Sequence, residues 1–168
     1  PIQLCLMTAQ IANGGYKIYP KIVLNTEDEK QKDDKFIPLY KNSKNVKIVQ
    51  QAMFSSTNEV RGTSYRSRIE DPKYQFAGKT GTAQVKRITK QDRELDLKTF
   101  EIPYEERDHA LYVAFGPYKN PRYAISILIE HGGSGGSVAA PLAKKLFKKI
   151  IDRHEIRKNF QNKRYLEI

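Results

Sequence analysis

Tryptophan is absent from these 168 residues, cysteine occurs once and methionine twice. The lone thiol, Cys5, excludes an internal disulfide framework, and its place on the apolar side of the first helical pattern assigns it to packing. No run approaches the roughly 20 apolar residues of a membrane-crossing helix, and no basic-then-apolar leader opens the chain, so a membrane anchor is expected outside this sequence. The three histidines, His109, His131 and His154, are scattered without metal-ligand spacing. Neither a metal nor another cofactor is expected. The run Gly132-Gly133-Ser134-Gly135-Gly136 lacks the lysine and the spacing of a phosphate-binding loop, and reads as a flexible turn. The ten tyrosines show no regular spacing that would build a base-stacking platform.

What the chain has in excess is positive charge, 30 Lys and Arg against 19 Asp and Glu, for a net +11. Nine basic residues against three acidic fall between Lys144 and Ile168, so the excess gathers at one end. With no zinc-finger spacing and no aromatic–basic signature beside it, nucleic acid is not an expected partner. The expectation is a solvated helix face leading into a basic C-terminal tail, 152–168.

Length suits one domain. Apolar residues at Ile2, Leu4, Cys5, Leu6, Ala9 and Ala12, followed by Gly14-Gly15, predict a buried helix with a left-handed exit. Tyr16 to Val23 reads as extended, and 24–45 as a charged surface insertion. A second helix is expected from an Asn45 cap, with Val46, Val49, Ala52 and Met53 on its buried face. Residues 86–108 form a second charged insertion. His109–Phe115 and Tyr123–Glu130 are apolar at nearly every position and are joined by a short link, which predicts an antiparallel pair covered on both faces. A last helix begins near Val138 and buries Val138, Leu142, Leu146, Phe147, Ile150 and Ile151 against that sheet. Helices flanking an antiparallel sheet make the predicted class α+β.

Within the strand-like run from Tyr74 to Val85 lies Lys79-Thr80-Gly81-Thr82. Lys79 brings a compact positive charge, Thr80 and Thr82 bring hydroxyl donors, and Gly81 leaves no Cβ between the strand and an approaching ligand. These residue types together suit recognition of a carboxylate.

The same element marks the penicillin-binding proteins and serine β-lactamases. The match extends through Phe76–Val85, His109–Phe115, Asn120–Ile125, Glu130–Gly133 and Val138–Pro141, and in all of them the chain resembles the C-terminal part of the transpeptidase domain of class B penicillin-binding proteins, most closely the penicillin-binding protein 2 group. The resemblance implies a partial penicillin-recognising fold and a serine-type D,D-transpeptidase that cross-links peptidoglycan stem peptides and is acylated by β-lactams. It further implies partners in the cell-elongation machinery and a place at the periplasmic face of the bacterial inner membrane. Under it, Lys79 sets the electrostatics of the site, Thr80, Gly81 and Thr82 bind the substrate, and the Thr82 backbone N–H is one oxyanion donor. The family's S-x-x-K is absent, since no serine here has a lysine three residues on. Covalent catalysis needs an activated nucleophile, so the chain alone is expected to be inactive. Ser43-Lys44-Asn45 and Ser56-Thr57-Asn58 spell the family's S-x-N but stand too near Lys79, and are taken as chance matches. The alternatives are a non-catalytic binding or scaffold module and, through the shared Lys-Thr-Gly, a serine β-lactamase.

Overall fold

The computed structural model describes residues 1–20, 37–87 and 97–166. Three helices, α1 (Ile2–Ala12), α2 (Ser43–Asn58) and α3 (Ala140–Leu166), pack around strands β1 (Ala77–Ala83), β2 (His109–Gly116) and β3 (Tyr123–Ile129). The strands form one antiparallel sheet in the order β1-β2-β3. This is the predicted α+β class. Among the described residues no helix is long and apolar enough to cross a membrane.

The sheet's two faces follow from its register. Ala110, Tyr112 and Ala114 stand opposite Ile129, Ile127 and Ile125 across the β2–β3 pair, and with Phe76 and Ile69 they form a core closed by Ala139, Ala140, Ala143, Phe147 and Ile151. Phe147 stacks on Phe76 with ring centroids 4.9 Å apart. The α3 stripe therefore differs from expectation, because Leu142 and Leu146 are 38% and 42% exposed while alanines meet the sheet. Hydropathy favours leucine, but the Tyr112, Phe76 and Phe147 rings already fill the space, and only small side chains let the helix approach that closely. The opposite face carries Leu111 and Val113 of β2 and packs against α1 and α2, with Met53, Ala77 and Phe115 buried there. Cys5 reaches this sheet, its Sγ 3.4 Å from the Ala124 carbonyl.

Several element boundaries shift. The left-handed exit of α1 is present, with φ of +95° at Gly14 and +92° at Gly15. The α2 cap is Asn42, whose side chain accepts from the Lys44 N–H at 2.9 Å, three residues before the expected Asn45. Hydrogen bonds between Gly15 and Leu39 and between Lys17 and Ile37 lead the chain to that earlier start. Ser43–Asn45 are thus helix rather than insertion; residues 21–36 lie outside the described residues. Strand β1 is shorter than Tyr74–Val85, since the Tyr74 and Gln75 N–H groups turn back to the Asp71 carbonyl. Of the second insertion, 88–96 lie outside the described residues, and Tyr104–Glu106 form a single 3₁₀ turn. The stretch expected as a tail continues α3 to Leu166. The Gly-Ser run turns at Gly132 and Gly133, where the Gly132 N–H donates to the Ile129 carbonyl and Gly133 has φ of +77°. Ser134 caps a π turn, Gly135–Ala139, that feeds α3.

Candidate functional site

Strand β1 is an edge strand, and the end of α2 decides how much of that edge stays open. The Thr57 hydroxyl, fully buried, accepts from the Gly78 N–H at 3.0 Å, and Asn58 donates to the Phe76 carbonyl at 2.9 Å. Backbone groups on a strand alternate in direction. Because Gly78 turns its N–H to α2 rather than to β2, the N–H groups of Thr80 and Thr82 also point off the sheet, beyond the reach of the helix. A buried hydroxyl cluster fixes this junction: the Tyr112 hydroxyl lies 2.9 Å from Thr57 Oγ1 and 3.1 Å from Ser64 Oγ. Burial holds the Tyr112 phenol pKa above its ordinary value, although its bonds to Ser64 and Thr57 pull the other way. Glycine is required at position 78, where a Cβ would sit 2.3 Å from the Tyr112 oxygen.

On the α1–α2 side, Lys79 lies at the rim of an open cavity of about 630 Å³, together with Met7, Met53, Val113, Arg61 and Thr63. Lys79 Nζ curls over the strand edge and donates to the Thr80 carbonyl at 2.9 Å and to Thr80 Oγ1 at 3.3 Å. Among the described residues no carboxylate pairs with it at ion-pair distance. On the other side the π turn presses down on the strand, where a Cβ on the buried Gly135 would lie 2.6 Å from the Gly81 carbonyl. The structure therefore places Lys79, Thr80, Gly81 and Thr82 on one edge strand, clamped between α2 and the π turn.

Two further hydroxyls join them: Thr63, which the sequence did not single out, and Ser56, which it named only within a chance S-x-N match. Thr63 Oγ1 is 3.2 Å from Thr80 Oγ1, and Ser56 Oγ is 3.2 Å from Thr63 Oγ1. Seventeen residues separate Thr63 from Thr80, so no local spacing could have linked them. Within Ser56-Thr57-Asn58, the last two side chains are taken up in joining α2 to β1, and Ser56 alone faces the cavity. The histidines stand elsewhere: the His131 N–H donates to His109 Nδ1 at 3.0 Å, and His154 Nδ1 is 2.6 Å from the Tyr123 hydroxyl.

The arrangement can hold an acceptor-only group at the strand edge, beside the Lys79 ammonium and along the outward Thr80 and Thr82 N–H groups. Residues 1–148 match the family described as the penicillin binding protein transpeptidase domain. The chain is 35% identical over 162 residues to the peptidoglycan D,D-transpeptidase MrdA of Salmonella typhimurium, which takes in 90% of this chain and 25% of that protein. It is similar in structure to Pseudomonas aeruginosa PBP2, solved in complex with WCK 5153, with a TM-score of 0.67, 32% identity, and coverage of 89% of this chain and 30% of that one. Helicobacter pylori PBP2 in its complex with MreC matches with a TM-score of 0.51 and 36% identity, over 66% of this chain and 18% of that one. The chain spans about a quarter of the length of the curated relatives it matches.

Proposed function

The chain belongs to the penicillin-binding protein transpeptidase family, and from that premise we propose that residues 1–168 are the C-terminal portion of a peptidoglycan D,D-transpeptidase of the cell-elongation type. The observation that supports this is the open half of the β1 edge, where Lys79 Nζ reaches the Thr80 carbonyl and hydroxyl and where strand alternation turns the Thr82 N–H outward. In the reaction, a serine from another part of the protein attacks the carbonyl between two D-alanines of a stem peptide. The tetrahedral oxyanion is held by the Thr82 N–H and a second donor beside the serine. The C–N bond then breaks, the leaving D-alanine amine takes up the proton lost by the serine, and an acyl-enzyme ester remains. An amine of a neighbouring stem attacks that ester, forms the cross-link and returns the serine. Thr80 and Thr82 hold the terminal carboxylate, Gly81 lets the substrate backbone close on the strand, and Lys79 supplies the positive field.

One oxyanion donor commonly contributes about 3 kcal/mol of transition-state stabilisation, so a chain with half of the hole and no nucleophile does not turn over. β-Lactams enter as mimics of the D-Ala-D-Ala dipeptide. Working partners are the stem peptide and proteins of the elongation complex, and the site operates at the periplasmic face of the inner membrane, with the anchor in another segment. The complex of the Helicobacter relative with MreC supports the choice of an elongation partner. Fluorescent penicillin tests the reading: the isolated chain should carry no label after denaturation, whereas the chain joined to a preceding portion bearing S-x-x-K should label stoichiometrically. A label on any serine of residues 1–168, or none on the joined protein, would overturn it.

A further inference from the structure

We infer that Thr63 is a third binding residue of this site: with Thr80 it grips the substrate's terminal carboxylate, and Ser56 positions it to do so. The inference rests on the transpeptidase reading above. The two threonine oxygens stand 3.2 Å apart, with Thr63 on the cavity lining, close enough for each hydroxyl to take one oxygen of the same carboxylate.

Direction in the hydrogen-bond chain supports this use. An ammonium only donates, so Lys79 occupies an acceptor site on Thr80 Oγ1 and leaves the Thr80 O–H to donate outward. Ser56 Oγ lies 3.2 Å from Thr63 Oγ1, where either hydroxyl can be the donor. When Ser56 donates to Thr63, the Thr63 O–H also turns outward. In that arrangement both hydroxyls offer their hydrogens to a shared guest, which fits a group with two acceptor atoms and rejects one that brings a donor of its own.

Thr63 is held firmly enough for this. The Gly62 N–H donates to the Glu59 carbonyl at 2.8 Å, and the Ser64 N–H to the Ser56 carbonyl at 3.0 Å. A Cβ at Gly62 would meet the Ser56 carbonyl at 2.3 Å, so the chain can double back against the end of α2 only through glycine. Beneath Thr63, Ser64 is 1% exposed and tied to Tyr112. From the far side, Gly136 comes so close that a Cβ would lie 2.6 Å from the Thr63 carbonyl.

The test uses the joined, acylating protein and a penicillin offered both as free acid and as methyl ester. In Thr63→Ala the acylation rate with the acid should fall by about tenfold or more, as for loss of one hydrogen bond to a charged group, while the ester rate changes by less than about twofold. Thr63→Ser, which keeps the hydroxyl, should return the acid rate to within about threefold of wild type, a difference of well under one such bond. The ratio of acid to ester rates is independent of the fraction of folded protein, so it stays decisive if a variant is poorly stable. An unchanged ratio in Thr63→Ala, or equal loss with acid and ester, overturns the role of Thr63. Failure of the wild-type joined protein to label at all would instead overturn the transpeptidase reading.

Discussion

The two faces of the sheet are made by the same three strands and finished in opposite ways. Under α3, Ala110, Tyr112, Ala114 and Phe147 are fully buried, and the helix completes the core itself. Under α1 and α2, Val49 is 42% and Ile48 66% exposed, and the apolar cavity between the helices stays open. A small domain gains from every aliphatic side chain it can bury. Apolar residues left in view beside the strand bearing Lys79 are where the proposed function places further polypeptide, whereas the sheet face under α3 is already covered. The closed face supplies stability, and the open face is the one on which the proposed function places the rest of the protein.

Substitutions of apolar or buried groups on the two sides should separate these roles. Phe147→Ala removes the ring that stacks on Phe76, and should cost about 3–5 kcal/mol, enough to unfold much of the isolated chain in a denaturant titration. Tyr112→Phe should cost about 1 kcal/mol, because Thr57 and Ser64 keep other partners when the phenol oxygen goes. That variant also carries a pH signature. Since the folded state holds the Tyr112 proton more tightly than the unfolded chain, the stabilisation is complete below the ordinary phenol pKa of about 10 and is lost as pH rises through the higher folded value. The melting-temperature gap between wild type and Tyr112→Phe should accordingly narrow from about pH 9 to about pH 11. Ile48→Gln is the smallest expected effect, within about 0.5 kcal/mol for the isolated chain. A loss comparable to that of Phe147→Ala would show that the open face is closed in solution by the chain's own elements, and would break the contrast.

Much of this architecture was legible in the sequence, and the failures share a cause. The antiparallel strands, the class, the glycine exit of α1 and the strand bearing Lys79 all follow from periodicity and local turn chemistry. The α3 stripe did not, because the choice of Ala143 over Leu146 as the inward residue depends on rings contributed by β2 and by Phe76. The early start at Asn42 depends on the pairing of Gly15 with Leu39 across an insertion. For the site, the lysine and its threonines were readable as a contiguous motif. The link from Ser56 through Thr63 to Thr80 was not, since it forms only through the doubling-back at Gly62, and Ser56 was dismissed with its chance S-x-N match.

The cover that α2 places over the first half of β1 bears on solubility as well as chemistry. An unprotected edge strand is a template for pairing with another copy, and natural sheets shorten or block it. Here Thr57 and Asn58 occupy the backbone groups of Gly78 and Phe76 and Lys79 the carbonyl of Thr80, which leaves the short stretch up to Ala83 with its outward groups uncovered by α2. A stretch so short offers few rungs to a growing ladder, so the same cover that shapes the proposed peptide site also blunts the edge against pairing with another sheet.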